Sequence, residues 1–421
     1  MSPSAPHRQR LSYGVGSIGT GVFTTVPSVL LLYFLTTEVH IAAAIAGVII
    51  LIPKAAGLIG DPLIGSWADR LRRRSTAGRQ ILMGVGALLG GLGLWALFSL
   101  PQRMAGNILV PAFIYFICTT GYSFFAVPYS ALPAELDPRP EGRRALVSTR
   151  LGLAFLGVLI GGVSAPIVAQ RFGYPVMGVV MGVVCAGAMG AFLATCRLKP
   201  REPLAGSERV SGSDATLSSI ATRPFLIQMA SFVMLLAAAG AFSSLLPFLV
   251  HEMGAGGDAV GLAMLVNIVV ALVTSLAWPV LIRWMGLRSA WQLAAAITGL
   301  SAVLVGGASG LDARLFIGMA IGGAGLSGVQ ITGFTGLADH TAEHLKGGRG
   351  PGLITGLWMA GEKIGLASGP LLAGLGLNFL GHTPLGSAVH SSIALIPTVL
   401  AVLAVALIAF DPTGGRSGFS N

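Results

Sequence analysis

The chain has 421 residues, of which 54% are hydrophobic and only 10% are charged, and its mean hydropathy is +0.81. A soluble domain carries about 25% charged residues, so the composition excludes a water-soluble globular protein and indicates one that lies in a lipid bilayer. The net charge of +10 could suit nucleic-acid binding, but the basic residues fall between apolar stretches, as they do in the loops of membrane proteins. We therefore expect a lipid bilayer, and no nucleic acid, as its partner.

The order of the apolar stretches predicts an all-α membrane protein with twelve transmembrane helices. A spanning helix needs roughly 20 mostly apolar residues. Such stretches lie near 12–36, 41–66, 79–100, 106–130, 148–170 and 174–196, and again near 223–250, 258–284, 288–309, 314–338, 351–380 and 388–410. A long polar segment separates the two sets, so we predict an N-terminal six-helix bundle (1–196), a cytoplasmic linker (197–222) and a C-terminal six-helix bundle (223–421).

The distribution of basic residues predicts the orientation. If the N-terminus is cytoplasmic, only Arg103, Arg171 and Arg314 of the 26 Lys and Arg residues fall on the outer side, and Lys54 and Lys363 fall within spans. All the others fall on the cytoplasmic side, where membrane proteins concentrate positive charge. We expect an integral protein of a bacterial inner membrane with both termini and the linker in the cytoplasm.

The segment that follows the second span carries a carboxylate among basic residues. Gly65 is followed by Asp69, Arg70 and Arg73, and the next residue is also an arginine. Topology alone explains the arginines but not Gly65 or Asp69, whereas a carboxylate could pair with arginines and hold two helix ends together. This loop motif resembles the signature of the major facilitator superfamily. The loop after the eighth span, 279–288, is also predicted to be tight and basic. It follows the second span of its half, as the first loop does, which is expected of a repeat.

Further segments narrow the resemblance to one family. They are Tyr13-Gly-Val-Gly16, Asp61-Pro-Leu-Ile-Gly65, Val127-Pro-Tyr-Ser-Ala-Leu-Pro-Ala-Glu135 and Glu362-Lys363. Together they resemble the glycoside–pentoside–hexuronide:cation symporter family over nearly the whole chain. The resemblance implies a secondary transporter that works by alternating access and carries a small organic solute together with a cation. It also extends to animal lysolipid and amino-acid carriers.

The chain departs from that family at the sugar and sodium positions. The family usually has two carboxylates one turn apart in the second span, but here only Asp61 remains because the first position is Gly57. The polar residue before Asp61 is Gly60, and the acidic positions of spans 1 and 4 are Gly21 and Ala126. Sodium needs several oxygen ligands, so we favour a proton over sodium as the coupling ion, with Asp61 as its carrier.

Positively charged residues predict an anionic substrate. Ionisable groups inside a bilayer are costly and usually functional. Lys54, Arg150 and Lys363 would give the cavity a positive charge, which a hexuronide or another organic anion would offset. Each has an alternative role: Lys54 could snorkel to a surface, Arg150 could anchor a helix end, and Lys363 could pair with a carboxylate on another helix. Asp61 could pair with the arginines that follow it, and Glu362, about 100° round the helix from Lys363, is expected to face elsewhere.

Polar and aromatic side chains within the spans are further candidates for substrate contact. Thr20 and Thr24 could line a cavity, although hydrogen bonds between helices account for them equally well. Tyr122 and Trp358 could stack on a substrate, but they are more typical of packing between helices. The sequence contains no metal-ligand cluster, cofactor motif or nucleophile arrangement, so we expect neither an enzyme nor a cofactor.

The expected protein is therefore a monomeric secondary transporter of a small molecule, with a glycoside, a hexuronide or another organic anion as its solute. Two alternatives stay open. One is a carrier of the same fold for a lysolipid, another amphiphile or an amino acid. The other is a receptor that has kept the carrier fold and binds a ligand without transporting it.

Overall fold

The protein is helical throughout the described residues. The computed structural model describes residues 7–74, 76–100, 106–136, 140–196, 222–346, 352–380 and 387–409. Within these ranges, eleven helices are long and apolar enough to cross a membrane. A further helix of 29 residues, Gly352–Leu380, contains Glu362 and Lys363, which lower its hydropathy. Each of the twelve predicted spans thus corresponds to a helix, whereas most of the predicted linker, 197–221, lies outside the described residues.

The first six spans are formed by helices α1 to α6. Helix α1 comprises His7–Val26, a π-helical turn at Pro27–Leu31 and a final segment, Leu32–Thr37. Helices α2, α3 and α4 are Ala43–Arg74, Thr76–Phe98 and Leu109–Ala131. A short turn of helix, Pro133–Leu136, precedes α5, which comprises Pro140–Leu159, a second π-helical turn at Ile160–Ser164 and Ala165–Phe172. Helix α6 is Tyr174–Thr195.

The last six spans are formed by helices α7 to α12, which are Arg223–Glu252, Gly257–Ser275, Trp278–Gly306, Ala313–Lys346, Gly352–Leu380 and Ala388–Ala409. The predicted loop at 279–288 contains a break between two helices, but the break is shorter than predicted. Helix α8 ends at Ser275 and the helical stretch labelled α9 begins at Trp278, because Pro279 suits the first turn of a helix, where its missing N–H costs nothing. Within this stretch one helix ends and the next begins at Gly286, whose φ of 81° lies in the region that favours glycine.

The described helices form two compact units, and the helix pairing within one unit recurs in the other. One unit contains α1–α6 and the segment Gly256–Leu262, and the other contains the remaining helices. In the first unit α1 packs on α5 and α6, and α3 packs on α4 and α6. In the second unit α7 packs on α11 and α12, and α9 packs on α10 and α12. The same pairs therefore occur six helices further along, as in transporters built from parallel repeats.

Glycine allows the backbones of α1 and α5 to touch. A Cβ atom at Gly21 would lie 2.3 Å from the carbonyl oxygen of Ala154, and one at Gly157 would lie 2.2 Å from the carbonyl oxygen of Ile18. Both distances are too short for any side chain. Small residues at such contacts let membrane helices approach closely. In sugar-carrying members of the resembled family, position 21 is acidic. Here the backbone of α5 fills the space that such a side chain would need.

We predict that Gly21→Ala lowers the stability of the folded protein, because the added methyl group collides with the α5 backbone. Overpacking of this kind costs about 1–3 kcal/mol. Gly187→Ala is the matched control, since no atom lies within 4 Å of a Cβ at that position in α6. Alanine there improves helix propensity by up to about 1 kcal/mol.

The melting temperature of detergent-purified protein checks this prediction. A thiol-reactive fluorescent dye can report unfolding, because Cys118, Cys185 and Cys196 are buried and not in disulfides. Gly21→Ala should melt below the wild type and Gly187→Ala should melt at or above it. Equal melting temperatures for the two variants would contradict the close contact of α1 with α5.

Candidate substrate and cation site

Lys54 and Asp61 lie on one face of α2, about 10 Å apart along the helix axis. Lys54 is partly buried, and within the described part of the chain no hydrogen bond or ion pair reaches its ammonium group. Both carboxylate oxygens of Asp61 are buried. Pro53 and Pro62 lie inside the same helix, and each lacks the N–H that would pair with the carbonyl one turn earlier. The segment between the prolines thus carries both charges of this span.

The glycines of α2 leave space beside Asp61. A Cβ at Gly57 would lie 3.7 Å from the Oδ1 atom of Asp61, and a Cβ at Gly60 would have no atom within 4 Å. The carboxyl group of Asp61 therefore points back along the helix towards Gly57. A carboxylate at position 57 would face it directly, as the paired carboxylates of the resembled family do. In this chain α2 itself supplies a single carboxyl group at that place.

Arg150 belongs to a cluster of aromatic side chains at the contact of α1, α4 and α5. Its guanidinium carbon lies 5.3 Å from the centroid of the Tyr129 ring, within the range of a cation–π interaction. The Tyr129 ring stacks on Tyr13, with 4.8 Å between the ring centroids. The Tyr129 hydroxyl donates its proton to the Tyr13 carbonyl oxygen. In the second hydrogen bond the Tyr129 oxygen is therefore the acceptor and Ser17 Oγ, 2.8 Å away, is the donor.

This cluster brings Arg150 together with the family-like segments that contain Tyr13 and Val127–Glu135. Arg150 is partly buried, so it is more than an exposed anchor at a helix end. The cation–π contact gives it a defined position beside Tyr129. A direct role for Arg150 in substrate binding stays a prediction.

The other candidates of the first unit differ in their access. Thr20 is buried and donates to the Ser17 carbonyl oxygen at 2.9 Å, whereas Thr24 is more exposed and donates to the Thr20 carbonyl oxygen at 3.0 Å. Both hydroxyl groups thus bond to their own helix, which satisfies them without a second helix. Tyr122 stacks on Phe23 with ring centroids 4.1 Å apart and planes within 2° of parallel. Of these side chains, Thr24 is therefore the most accessible to a solute.

The predicted loop motif lies within a helix. Helix α2 continues to Arg74, so Gly65, Asp69, Arg70 and Arg73 occupy its last turns. Basic residues at a helix C-terminus interact favourably with the helix dipole, and no proline interrupts the chain between 65 and 74. Arg70 is exposed, and the side chains of Asp69 and Arg73 lie outside the described residues. Gly65 faces Val127 of α4, whose Cγ1 atom would lie 3.5 Å from a Cβ.

In the second unit, Glu362 of α11 is half-buried. That it faces away from the substrate cavity stays a prediction. Trp358, one turn earlier on the same face of α11, is fully buried and stacks on Phe232 at 4.7 Å between centroids. Lys363 is the more exposed of the two adjacent charged residues. Trp358 as a substrate contact stays a prediction, and its burial favours packing.

Sequence reasoning missed polar groups that carry no charge. Gln330 was overlooked, although an amide inside an apolar span is itself a signal of a partner across the bundle. Asn267 of α8 donates to the Met319 carbonyl oxygen at 3.0 Å. It lines a cavity of about 30 Å³ in the second unit together with Ser243, Thr298 and Ser301. This volume suits a water molecule or two but not an organic solute.

Solved structures share this arrangement of helices. The POT family transporter PepTSo is 15% identical and matches 96% of this chain and 98% of its own, with a TM-score of 0.66. The nucleoside transporter NupG is 14% identical, also matches 96% of this chain and 98% of its own, and has a TM-score of 0.66. At these identities the likeness concerns the fold alone.

Residues 12–413 match the family described as MFS/sugar transport protein, in which MFS stands for the major facilitator superfamily. The match covers nearly the whole chain, and the chain belongs to this family.

Curated relatives match over shorter stretches. The putative glycoside/cation symporter YagG of Escherichia coli is 33% identical over 38% of this chain and 35% of its own length. The uncharacterised symporter YjmB of Bacillus subtilis is 29% identical over 52% and 49%. The mouse sphingosine-1-phosphate transporter MFSD2B is 25% identical over 46% and 36%. The chain thus spans between about a third and a half of the length of these relatives.

We predict that Gly57→Asp creates a sodium-binding site that the wild type lacks. The new carboxylate would face Asp61 across the space beside Gly57, and two carboxylates supply the hard oxygen ligands that sodium prefers. Sodium at ten times its Kd would stabilise the folded variant by about 1.4 kcal/mol. The melting temperature of Gly57→Asp should rise when choline chloride is replaced by sodium chloride at equal ionic strength.

Gly57→Asn is the matched control, because it adds an oxygen without a charge, and it should not respond to sodium. An equal sodium response of the wild type would contradict the interpretation of α2 as a site with one carboxyl group.

Proposed function

We propose that this protein is a secondary transporter that moves a small organic anion across the membrane by alternating access, coupled to a proton. The observation that carries the proposal is Lys54, a cation inside a transmembrane helix with no partner among the described residues. Membership of a family of sugar transport proteins and the names of the symporters that it resembles support the transport activity.

The charge of Lys54 favours an anionic substrate. A charge inside a bilayer is costly unless an opposite charge offsets it, and their attraction strengthens where water is excluded. A neutral sugar would need acceptor carboxylates for its hydroxyl groups. Two such positions are occupied by Gly21 and Ala126, and the backbone of α5 leaves no room for a side chain at position 21. A hexuronide, which joins a sugar to a carboxylate, fits both the family and this charge.

Coupling to a proton rests on Asp61, the single carboxyl group in the membrane-spanning part of α2, Ala43–Ala68. Asp61 can bind and release one proton at one oxygen atom. Sodium needs several oxygen ligands at once, and neither Gly57 nor Gly60 supplies one from a side chain. Asp61 is therefore assigned the coupling role.

A second candidate function is the transport of an anionic amphiphile. The chain is similar to MFSD2B, which is named as a transporter of sphingosine-1-phosphate, a lipid that carries a phosphate group. This similarity favours the second function. The same lysine would bind either anion, so the length of the apolar group on the substrate distinguishes the two functions.

We predict that Lys54→Gln weakens the binding of an anionic substrate at least tenfold, which corresponds to about 1.4 kcal/mol. A glucuronide and a glucoside of the same alcohol form a matched pair of ligands that differ only in the carboxylate. The glucuronide should raise the melting temperature of the wild type and of Lys54→Arg, but not that of Lys54→Gln. Long-chain lysophospholipids serve as the amphiphile arm of the same screen.

Tight binding of the glucoside, unchanged in Lys54→Gln, would rule out the anion as the preferred substrate. Binding of any ligand without flux through reconstituted protein would favour a receptor instead.

We predict that Asp61→Asn abolishes accumulation driven by a proton gradient in proteoliposomes and leaves exchange of substrate across the membrane in place. The amide cannot carry a proton, but it keeps the size of the side chain. Asp258→Asn is the control, since Asp258 forms an exposed ion pair with Arg171 at 3.1 Å, and this variant should accumulate substrate as the wild type does. Sodium-stimulated uptake at constant pH that disappears in Asp61→Asn would show that sodium is the coupling ion.

A further inference from the structure

Two side chains at one end of the second unit face each other without a hydrogen bond. Glu252 is the last residue of α7, and His390 lies in the first turn of α12. The Nε2 atom of His390 is 3.8 Å from a carboxylate oxygen of Glu252, Oε2, which is beyond the range of a hydrogen bond. The proposed function uses neither residue. The predicted orientation places this end of the bundle on the outer side of the membrane.

The other ring nitrogen of His390 determines which atom is presented to Glu252. His390 Nδ1 lies 2.8 Å from the carbonyl oxygen of Gly306, the last residue of α9. A carbonyl oxygen can only accept, so Nδ1 carries the hydrogen, and the lone pair of the neutral imidazole is then on Nε2. An ionised carboxylate also has acceptors only. Two acceptors thus face each other, and a cation between them would satisfy both.

The types of ligand and their distance suit zinc. Zinc binds imidazole nitrogen at about 2.0–2.1 Å and carboxylate oxygen at about 2.0–2.2 Å, with tetrahedral geometry. These lengths place two ligand atoms about 3.4 Å apart, so the Nε2 and Oε2 atoms need to approach each other by roughly 0.4 Å. Imidazole suits zinc, copper and nickel, whereas magnesium and calcium prefer oxygen ligands alone.

Both side chains already have the support that metal ligands usually have. A metal-bound histidine almost always donates its other N–H to a carboxylate, a carbonyl or water, and a ligating carboxylate is itself hydrogen-bonded. Here His390 donates to the Gly306 carbonyl oxygen, and the Ser387 hydroxyl donates to the Glu252 carboxylate. The same Ser387 oxygen accepts from the backbone N–H of His390 at 3.2 Å. Ser387 therefore holds the two facing residues in place.

The pair is open enough for a metal ion to enter together with water. The exposed fractions of the His390 and Glu252 side chains are 30% and 35%. Among the described residues no third histidine, cysteine, aspartate or glutamate completes a set of three. Water would therefore fill the remaining positions, as it fills the open position of catalytic zinc sites. A metal ion held in this way would link the end of α7 to the start of α12.

We propose that Glu252 and His390 form a binding site for a divalent transition-metal ion, with zinc as the occupant that fits best. The two residues are far apart in the sequence, so no spacing along the chain signals the site. Metal binding here needs neither the proposed substrate nor the proposed coupling ion.

Titration of the untagged, metal-free protein with zinc chloride, in detergent at constant pH, tests the site. The melting temperature should rise to a plateau, and competition with a fluorescent zinc indicator should give a single zinc ion per chain. Ser387→Ala removes only an outer-shell partner and should weaken binding roughly tenfold. His390→Gln and Glu252→Gln each remove a ligand but keep a polar side chain, and each should weaken binding more than Ser387→Ala does.

His40→Gln is the control variant. His40 is an exposed histidine of the first unit, so its loss should leave the affinity for zinc unchanged. A loss of affinity in His40→Gln equal to that in His390→Gln would point to zinc bound by surface histidines and contradict the site.

Three further results would overturn the proposal. One is the absence of saturable zinc binding by the wild type. Another is zinc binding that is unchanged in both His390→Gln and Glu252→Gln. The third is a melting temperature that responds to pH through His390 but not to zinc, which would leave a proton as the only cation shared by the pair. Ser387→Ala keeps both ligands, so it remains informative if a ligand variant fails to fold.

Discussion

Close contact between helix backbones is the constraint on which both bundles depend. Lipid tails are as apolar as leucine side chains, so helices in a bilayer gain little from burying apolar groups against each other and associate through close packing instead. A Cβ at Gly182 of α6 would lie 2.4 Å from the carbonyl oxygen of Gly91 on α3. In the second unit, a Cβ at Gly369 of α11 would lie 2.5 Å from the backbone nitrogen of Ala241 on α7. The glycine content that would weaken helices in water is what fixes the helix pairs here.

This packing restricts the chemistry that the first bundle can offer a solute. The contact of α1 with α5 at Gly21 excludes the acidic side chain found there in sugar-carrying relatives, because the α5 backbone fills its place. Tight packing at this point and recognition of a sugar through a carboxylate at position 21 are therefore incompatible. The charged groups within the membrane-spanning part of α2 are Lys54 and Asp61, and they support the proposal of a different kind of substrate and coupling ion.

Hydropathy predicted most of the fold, because twelve apolar stretches of sufficient length have few other structures available in a bilayer. It could not locate the ends of helices where no glycine or proline interrupts the chain, which is why the motif from Gly65 to Arg74 lies inside α2. It also could not tell which face of an apolar helix points inwards. Trp358 was a candidate for substrate contact, but its ring is fully buried against Phe232. That burial depends on neighbouring helices that a single sequence does not reveal.

The proposed coupling ion depends on what α2 places beside Asp61. A Cβ at Gly57, where the resembled family has a second carboxylate, would lie 3.7 Å from the Oδ1 atom of Asp61. A glycine at position 57 supplies no side-chain oxygen, whereas sodium needs several hard oxygen ligands. A proton needs only one oxygen to bind to, which Asp61 provides. The loss of the second carboxylate at this turn of α2 is thus the feature on which the proposed proton coupling rests.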